Sequence, residues 1–204
     1  MEETASSSRR SKERAAMRRR IVETALQLLE QEGTTAVTTR RVATEMDYTA
    51  PIVYQHFENK DALVLELVSH GYQMLTAELQ EVSAQTDPSL RLLSAATSYV
   101  RFAGQHPHLF DAMNVVAVES VQRSAIVEPV LDLLQDWLGV WASSQRVDLG
   151  DNRDACDVVW GTLYGIGALG RLDSVGNERA QRLARQALEA ILSGWLSQGG
   201  QRPA

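Results

Sequence analysis

Three groups of residues have types and spacings that could do chemistry. Gly165-Ile166-Gly167-Ala168-Leu169-Gly170 fits GxGxxG, the run that lets backbone approach a dinucleotide pyrophosphate, and that reading would make the chain an oxidoreductase. His106-Pro107-His108 sets two imidazoles close together, as a metal site would. Arg9–Arg20 carries seven basic residues against one acid, Glu13, a density that suits a phosphate backbone. The first two fail on context. A dinucleotide fold needs a strand before the glycines, a helix starting on them and further βαβ units, whereas the chain after Gly170 reads as a single helix. No cysteine pair or acidic cluster completes a metal set with His106 and His108. Cys156 is the sole cysteine. It rules out an internal disulfide and the two- and four-cysteine zinc sites, and it is expected to pack in a core. There is no GxSxG-type nucleophile. The expectation is no enzyme, no metal and no cofactor, with a small dinucleotide-dependent oxidoreductase as the alternative of a different class.

The elements that must position any site are helices. Met17, Ile21, Ala25, Leu28 and Leu29 recur at helical steps from about Lys12, and Gly33 offers a left-handed stop. Thr38 or Thr39 can cap a short second helix through Met46, and Thr49 a third with Pro51 in its first turn. Asn59 can cap a fourth and longer helix carrying Leu63, Leu67, Val68, Leu75, Leu79 and Val82. Further helices are expected from Asp87-Pro88 to Gln105, from Pro107 through Met113, and from Glu128-Pro129 through Trp141. Two more run over 151–172 and 177–197. Val115–Val118 is the one serious strand candidate. The fold class is therefore all-α with about nine helices. The expected division is a disordered basic tail at 1–11, a small N-terminal helical module at 12–62 and a larger helical body at 63–204.

Composition agrees with a folded globular chain: 204 residues, 44 % hydrophobic and 23 % charged. The net charge is −6, which alone argues against nucleic acid. Yet residues 1–60 hold 10 Lys/Arg against 9 Asp/Glu, and residues 61–204 hold 10 against 17, so a basic leading segment precedes an acidic body. No apolar run approaches the ~20 residues of a membrane span. The polar N-terminus lacks a secretory h-region, so a cytoplasmic setting is expected.

Val37–Lys60 places two short helices around a tight turn at Asp47-Tyr48. Val42, Ala43, Met46, Tyr48 and Val53 are expected inward, and the small Ala43 allows a close crossing. This is the layout of a helix-turn-helix, whose second helix enters the DNA major groove. From Arg20 to Leu67 the sequence resembles the tetracycline-repressor (TetR) family of bacterial transcription regulators. The family's YxHFxxKxxL pattern reads here as Tyr54, His56, Phe57, Lys60 and Leu63. Two positions depart from it. Asp47 stands where the turn usually has Gly, and Ile52 where Thr or Ser is common.

The resemblance implies a dimeric regulator, most often a repressor, released from a palindromic operator by a small, largely apolar effector. By position it implies DNA contacts from Thr39, Arg40, Thr49, Ala50, Pro51, Ile52, Tyr54, Gln55, His56 and Lys60. Thr39 and Arg40 would meet phosphate at the start of the second helix. Gln55 would read a base edge, since an amide pairs adenine bidentately. Tyr54 and Lys60 would set register on the backbone. Arg9, Arg10, Lys12 and Arg14 are an expected arm toward DNA.

The aromatics of the body, together with Met113, recur at helical spacing. Most such residues are simply core, but the resemblance implies a small-molecule pocket here, and Phe102, Phe110, Met113, Trp137, Trp141, Trp160 and Tyr164 are its expected lining, with His106 and Arg123 as polar contacts. RFAGQHPHLF and the WGTLYG run resemble one subgroup of the family's ligand domains, in which His often stands at the position of Tyr164. Gly161, Gly165 and Ala168 are expected to let two helices approach closely. The resemblance implies that helices 151–172 and 177–197 pair with their copies in a homodimer. A closer alternative is a DNA-binding regulator with no small-molecule response, which a solid body would favour.

Overall fold

The computed structural model describes residues 2–115, 120–172 and 174–199, with side chains described from Arg9 onward except at 115–124, 198 and 199. Among the described residues there are nine helices and no strand: α1 Glu2–Glu32, α2 Thr39–Glu45, α3 Pro51–Tyr54, α4 Lys60–Val82, α5 Pro88–Gln105, α6 Pro107–Val115, α7 Ser120–Gln145, α8 Asn152–Gly170 and α9 Asn177–Gly199. The strand candidate at Val115–Val118 lies, beyond Val115, outside the described residues. Among the described residues no helix is long and apolar enough to cross a membrane.

The chain forms two compact units. One joins the described parts of 1–71 and 108–118, the other those of 72–107 and 119–204. The expected boundary at 62/63 and the observed one at Gly71/Tyr72 both fall inside α4. The first unit also takes in most of α6, which the sequence reading had assigned to the body.

In the first unit α1 starts well before Lys12, so the expected loose tail is helical backbone from Glu2. No Gly or Pro interrupts Met1–Glu32, and Glu2 and Glu3 suit the positive end of a helix dipole. Arg9 and Glu13 form an i,i+4 ion pair of 2.9 Å along the exposed helix. The apolar face of α1 buries Ile21, Ala25, Leu28 and Leu29, and α1 packs on α2, whose Val42 and Ala43 are buried too. Gly33 stops α1 at φ 81°.

Thr38 caps α2, its hydroxyl accepting the Arg41 N–H at 3.1 Å. Asn59 caps the start of α4 through Ala62 N–H at 2.8 Å. α3 lacks the expected Thr49 cap: Ala50 is its N-cap and no side chain bonds its first N–H groups. Pro51 removes one of those donors, which lowers the need for a cap.

The turn between α2 and α3 places Asp47 at φ 60°, the left-handed region expected of the glycine it replaces. Strain at a single left-handed Asp is of order 1 kcal/mol. Asp47→Gly should therefore raise stability by at most about 0.5 kcal/mol, after allowing for the freer unfolded chain. A denaturation midpoint that falls would contradict this. Tyr48, expected inward, is 42 % exposed. The left-handed turn rotates it outward, where its ring lies 5.4 Å from the Arg20 guanidinium.

In the second unit α5 is central, packing on α7, α8 and α9. Asp87 caps it through Leu90 N–H at 2.9 Å. The core comprises Leu92, Tyr99, Phe102, Trp137, Leu138, Trp141, Val159, Ala184 and Leu188. α7 begins at Ser120, not at the expected Glu128, and carries Pro129 inside it. An interior proline releases the carbonyl four residues earlier. Here Ala125 and Pro129 are both exposed, so water can satisfy it.

Close helix approach occurs at Gly170, where a Cβ would sit 2.6 Å from that of Ala180. A Cβ at Gly161 or Gly165 would meet nothing within 4 Å among the described residues, so neither mediates a close approach there. The GxGxxG run lies in the last turns of α8. Its backbone N–H groups belong to a helix interior, so no phosphate cradle exists and the dinucleotide reading is withdrawn.

Candidate nucleic-acid interface and apolar cavity

The candidate interface is built on α2 and α3. Val42, Ala43, Met46, Val53 and Phe57 are buried beneath it, which orients the remaining side chains outward. Arg40, Thr49, Pro51, Tyr54 and Gln55 are exposed, while Ala50, Ile52, His56 and Lys60 are half-buried. Gln55, Ile52 and His56 also border a shallow concavity that is closed on the other side by Arg14 and Met17 of α1.

Several of these groups have partners within the unit. The Thr39 side chain is buried, and its hydroxyl donates to the Tyr54 hydroxyl at 3.1 Å. This bond leaves the Tyr54 O–H proton free to point outward, on a ring that is 55 % exposed. Lys60 Nζ donates to the Thr34 carbonyl at 3.4 Å, tying the start of α4 to the α1–α2 loop. Arg41, on the same helix as Arg40, is held by Glu32 at 2.9 Å and Glu45 at 2.8 Å, so its charge is largely answered inside the protein.

The N-terminal arm reading also changes. Arg9 pairs with Glu13, and Arg14 Nη2 donates to the Gln55 carbonyl at 3.3 Å. Arg18 and Arg20 were not singled out from sequence, yet both reach the helix-turn-helix. Arg18 Nη1 donates to the His56 carbonyl at 2.8 Å, and Arg20 Nη2 to the Met46 carbonyl at 3.3 Å. Their sequence signal was only membership of a basic run, and a run names no partner.

Burial lowers the His56 pKa below its ordinary 6.5, with Arg14 and Arg18 adding repulsion. The imidazole is therefore neutral at pH 7 and can donate one N–H without adding charge. The unfolded chain takes up this proton near pH 6.5, before the folded chain does. Stability from this site is thus complete above pH 6.5 and declines as pH falls through the folded value. His56→Gln should flatten the loss of melting temperature between pH 7.5 and 5.5. An unchanged loss would show that this imidazole does not titrate as described.

The second unit contains a narrow apolar slot among α4, α5, α7, α8 and α9, with a cavity volume of about 30 Å³, so anything larger than a water or two must part the helices to enter. Of the expected lining residues, Trp137 and Trp160 border it. Leu79, Leu92, Tyr99, Leu133, Leu134 and Leu163 also border it and were not foreseen in that role. Tyr99 meets Trp160 edge-on at 5.2 Å, and burial pushes its phenol pKa well above 10, so the hydroxyl keeps its proton.

The other expected residues lie elsewhere. Phe102 is core, tilted against His106 at 4.9 Å. Trp141 is buried, donates to Ser89 Oγ at 3.1 Å and packs near Trp195 at 6.1 Å. Tyr164 is exposed on α8. Phe110 and Met113 belong to the first unit, where Met113 and Leu109 pack at Gly71. The Arg123 side chain lies outside the described residues. His106 and His108 fall in different units, and no group of three metal-capable side chains occurs among the described residues.

Comparison with known proteins fits this geometry. Residues 21–67 match the family of bacterial regulatory proteins named tetR, and residues 92–193 match the tetracyclin repressor-like C-terminal domain. An uncharacterized HTH-type transcriptional regulator, YobS of Bacillus subtilis (strain 168), is 27 % identical over 92 residues. That match covers 45 % of this chain and spans about half of the relative, 48 %. A protein of unknown function from Rhodococcus sp. RHA1 superposes with a TM-score of 0.75 at 23 % identity, covering 88 % of this chain and 95 % of that one. The transcriptional regulator FadR from Bacillus subtilis, solved in complex with stearoyl-CoA, superposes with a TM-score of 0.70 at 16 % identity, covering 86 % and 97 %. At those identities the two structures speak to the fold alone. The two family matches carry more, because one falls on the helix-turn-helix and the other spans half the chain: it belongs to the tetR family of bacterial regulatory proteins and is a DNA-binding transcription regulator, not an enzyme.

Proposed function

We propose that this chain is a cytoplasmic repressor that binds a palindromic operator as a two-fold dimer and leaves it when a small, largely apolar ligand enters the slot of the second unit. The observation that carries the ligand half is the slot itself, walled by leucines, Tyr99, Trp137 and Trp160. Apolar walls with a few polar atoms are the usual make-up of ligand sites. FadR of Bacillus subtilis holds stearoyl-CoA on a similar fold, which supports an apolar ligand class without naming one. The dimer reading rests on α8 and the turn after it, where Val158 and Leu169 of the helix and Leu172 of the turn are 51 %, 48 % and 53 % exposed, alongside the open Gly161 and Gly165. A lone chain leaves those side chains in water. Two-fold pairing through α8 and α9 would set the recognition helices roughly 34–36 Å apart, or a multiple of it. A ligand that prefers the wrongly spaced form then lowers operator affinity.

On DNA, the proposed backbone contacts are Thr39, Arg40, Tyr54, His56 and Lys60. Thr49, Ala50, Pro51, Ile52 and Gln55 face the groove. Ile52 offers a surface to a thymine methyl and Gln55 an amide to adenine.

Selection of duplexes from a random library at two salt concentrations tests this reading. An enriched palindrome whose affinity falls with salt is expected. No enrichment, with denatured protein free of any co-purified ligand, would overturn it. On the selected duplex, Lys60→Ala should shallow the salt slope by about 0.9. Gln55→Ala should relax preference at a single base pair, by about tenfold. An unchanged preference would remove Gln55 from the readout.

A further inference from the structure

α3 is only four residues long and has no side-chain cap. A helix that short has no stability of its own, so its pose must come from neighbours. Its start is set by packing of Val53 and by Pro51. Its far end leaves carbonyls at Gln55 and His56, and arginines of α1 meet both of them.

Arg18 makes the fuller set of contacts. One guanidinium nitrogen donates to the His56 carbonyl at 2.8 Å, and the other to Glu66 Oε2 of α4 at 2.9 Å. Its plane also lies 4.2 Å from the Phe57 ring centre, and Phe57 is buried. The planar fork thus joins three pieces of the first unit: the end of the recognition helix, the core aromatic beside it, and α4. A lysine has no fork and could not hold the carbonyl and the carboxylate in this geometry.

We propose that Arg18, held by Glu66, is a positioning residue that fixes the recognition helix for specific readout, without itself contacting DNA. The two obvious alternatives make different forecasts. If Arg18 were a phosphate contact, its loss would weaken all duplexes and reduce the salt slope. If Glu66 were merely a surface acid, its neutralisation would favour DNA by removing a like charge. Positioning requires the opposite sign for Glu66, since Glu66→Gln frees Arg18 and should weaken specific binding.

The test uses the full chain, the duplex it selects from a random library, and a shuffled duplex of the same composition. All variants are assayed at a temperature where melting curves show them folded. Arg18→Met is expected to weaken the selected duplex about tenfold, with the shuffled duplex changed by less than about twofold and the salt slope unchanged. Glu66→Gln should weaken the selected duplex about threefold, because the pair is partly exposed. The double variant should be no weaker than Arg18→Met alone, and Arg18→Lys should not restore binding. A salt slope reduced by about 0.9 in Arg18→Met would overturn the proposal in favour of a phosphate contact. So would tighter binding of the selected duplex by Glu66→Gln, or equal losses on both duplexes.

Discussion

Val53→Asp is expected to abolish specific DNA binding, lowering affinity for the selected duplex by at least about a hundredfold and destabilising the first unit by several kcal/mol. Val53 is fully buried at the centre of α3, and the four-residue helix exposes its reading face only because this side chain anchors the opposite one. Its backbone also matters, since the Val53 carbonyl accepts N–H bonds from His56 at 3.0 Å and Phe57 at 2.9 Å. Among the described residues no cation is buried in the first unit to pair with an aspartate there. A carboxylate buried without a partner must either protonate or pull the helix off its bed. Val53→Ala is the control: it leaves a small cavity, costs about 1–3 kcal/mol and keeps the surface chemistry. The ratio of selected to shuffled duplex affinity should collapse in Val53→Asp and survive in Val53→Ala. Retained specificity in the aspartate variant would mean that α3 is not held through Val53.

The helix-turn-helix was legible because its determinants are local. A Thr cap at 38, a left-handed position at 47, a first-turn proline at 51 and an Asn cap at 59 each act within a few residues, and the structure carries all four. What sequence reading missed depends on contacts far along the chain. Arg18 reaches groups 38 and 48 residues away, and nothing in a run of arginines says which of them will. Phe110 and Met113 have the spacing of lining residues, but most of α6 joins the first unit and buries them there. Trp141 looks like a lining aromatic from its spacing. The Ser89 hydroxyl and Trp195 turn it into core. Conversely, Leu92, Leu133, Leu134 and Leu163 read as ordinary core residues. Only the packing of α5, α7 and α8 leaves a slot beside them. Aromatic character alone is thus a poor guide to a pocket in a helical body. The apolar moment of a helix tells which face is buried, but not where two buried faces fail to meet.

Ala96→Phe should separate ligand response from DNA binding. Ala96 is fully buried on α5 and borders the slot, so a phenyl ring there projects into the space proposed for the ligand. The slot is only about 30 Å³, so the ring overpacks it at a cost of about 1–3 kcal/mol, and the variant is compared at a temperature where melting curves show both chains folded. With the slot filled, binding of a neutral apolar probe such as N-phenyl-1-naphthylamine should weaken at least about tenfold, since the buried area that drives it is gone. Affinity for the selected duplex without ligand should stay within about twofold, because no group on α2 or α3 is touched. Quenching of Trp137 and Trp160, which border the slot, gives a second readout of probe entry. Undiminished probe binding in Ala96→Phe would place the ligand elsewhere. A solid, probe-refusing body in the unsubstituted chain would leave a regulator whose DNA binding is governed by something other than a small apolar molecule. A filled slot that also lowers duplex affinity would show instead that the slot must flex for operator binding itself, since a ligand can shift an equilibrium only by its preference for one state over the other.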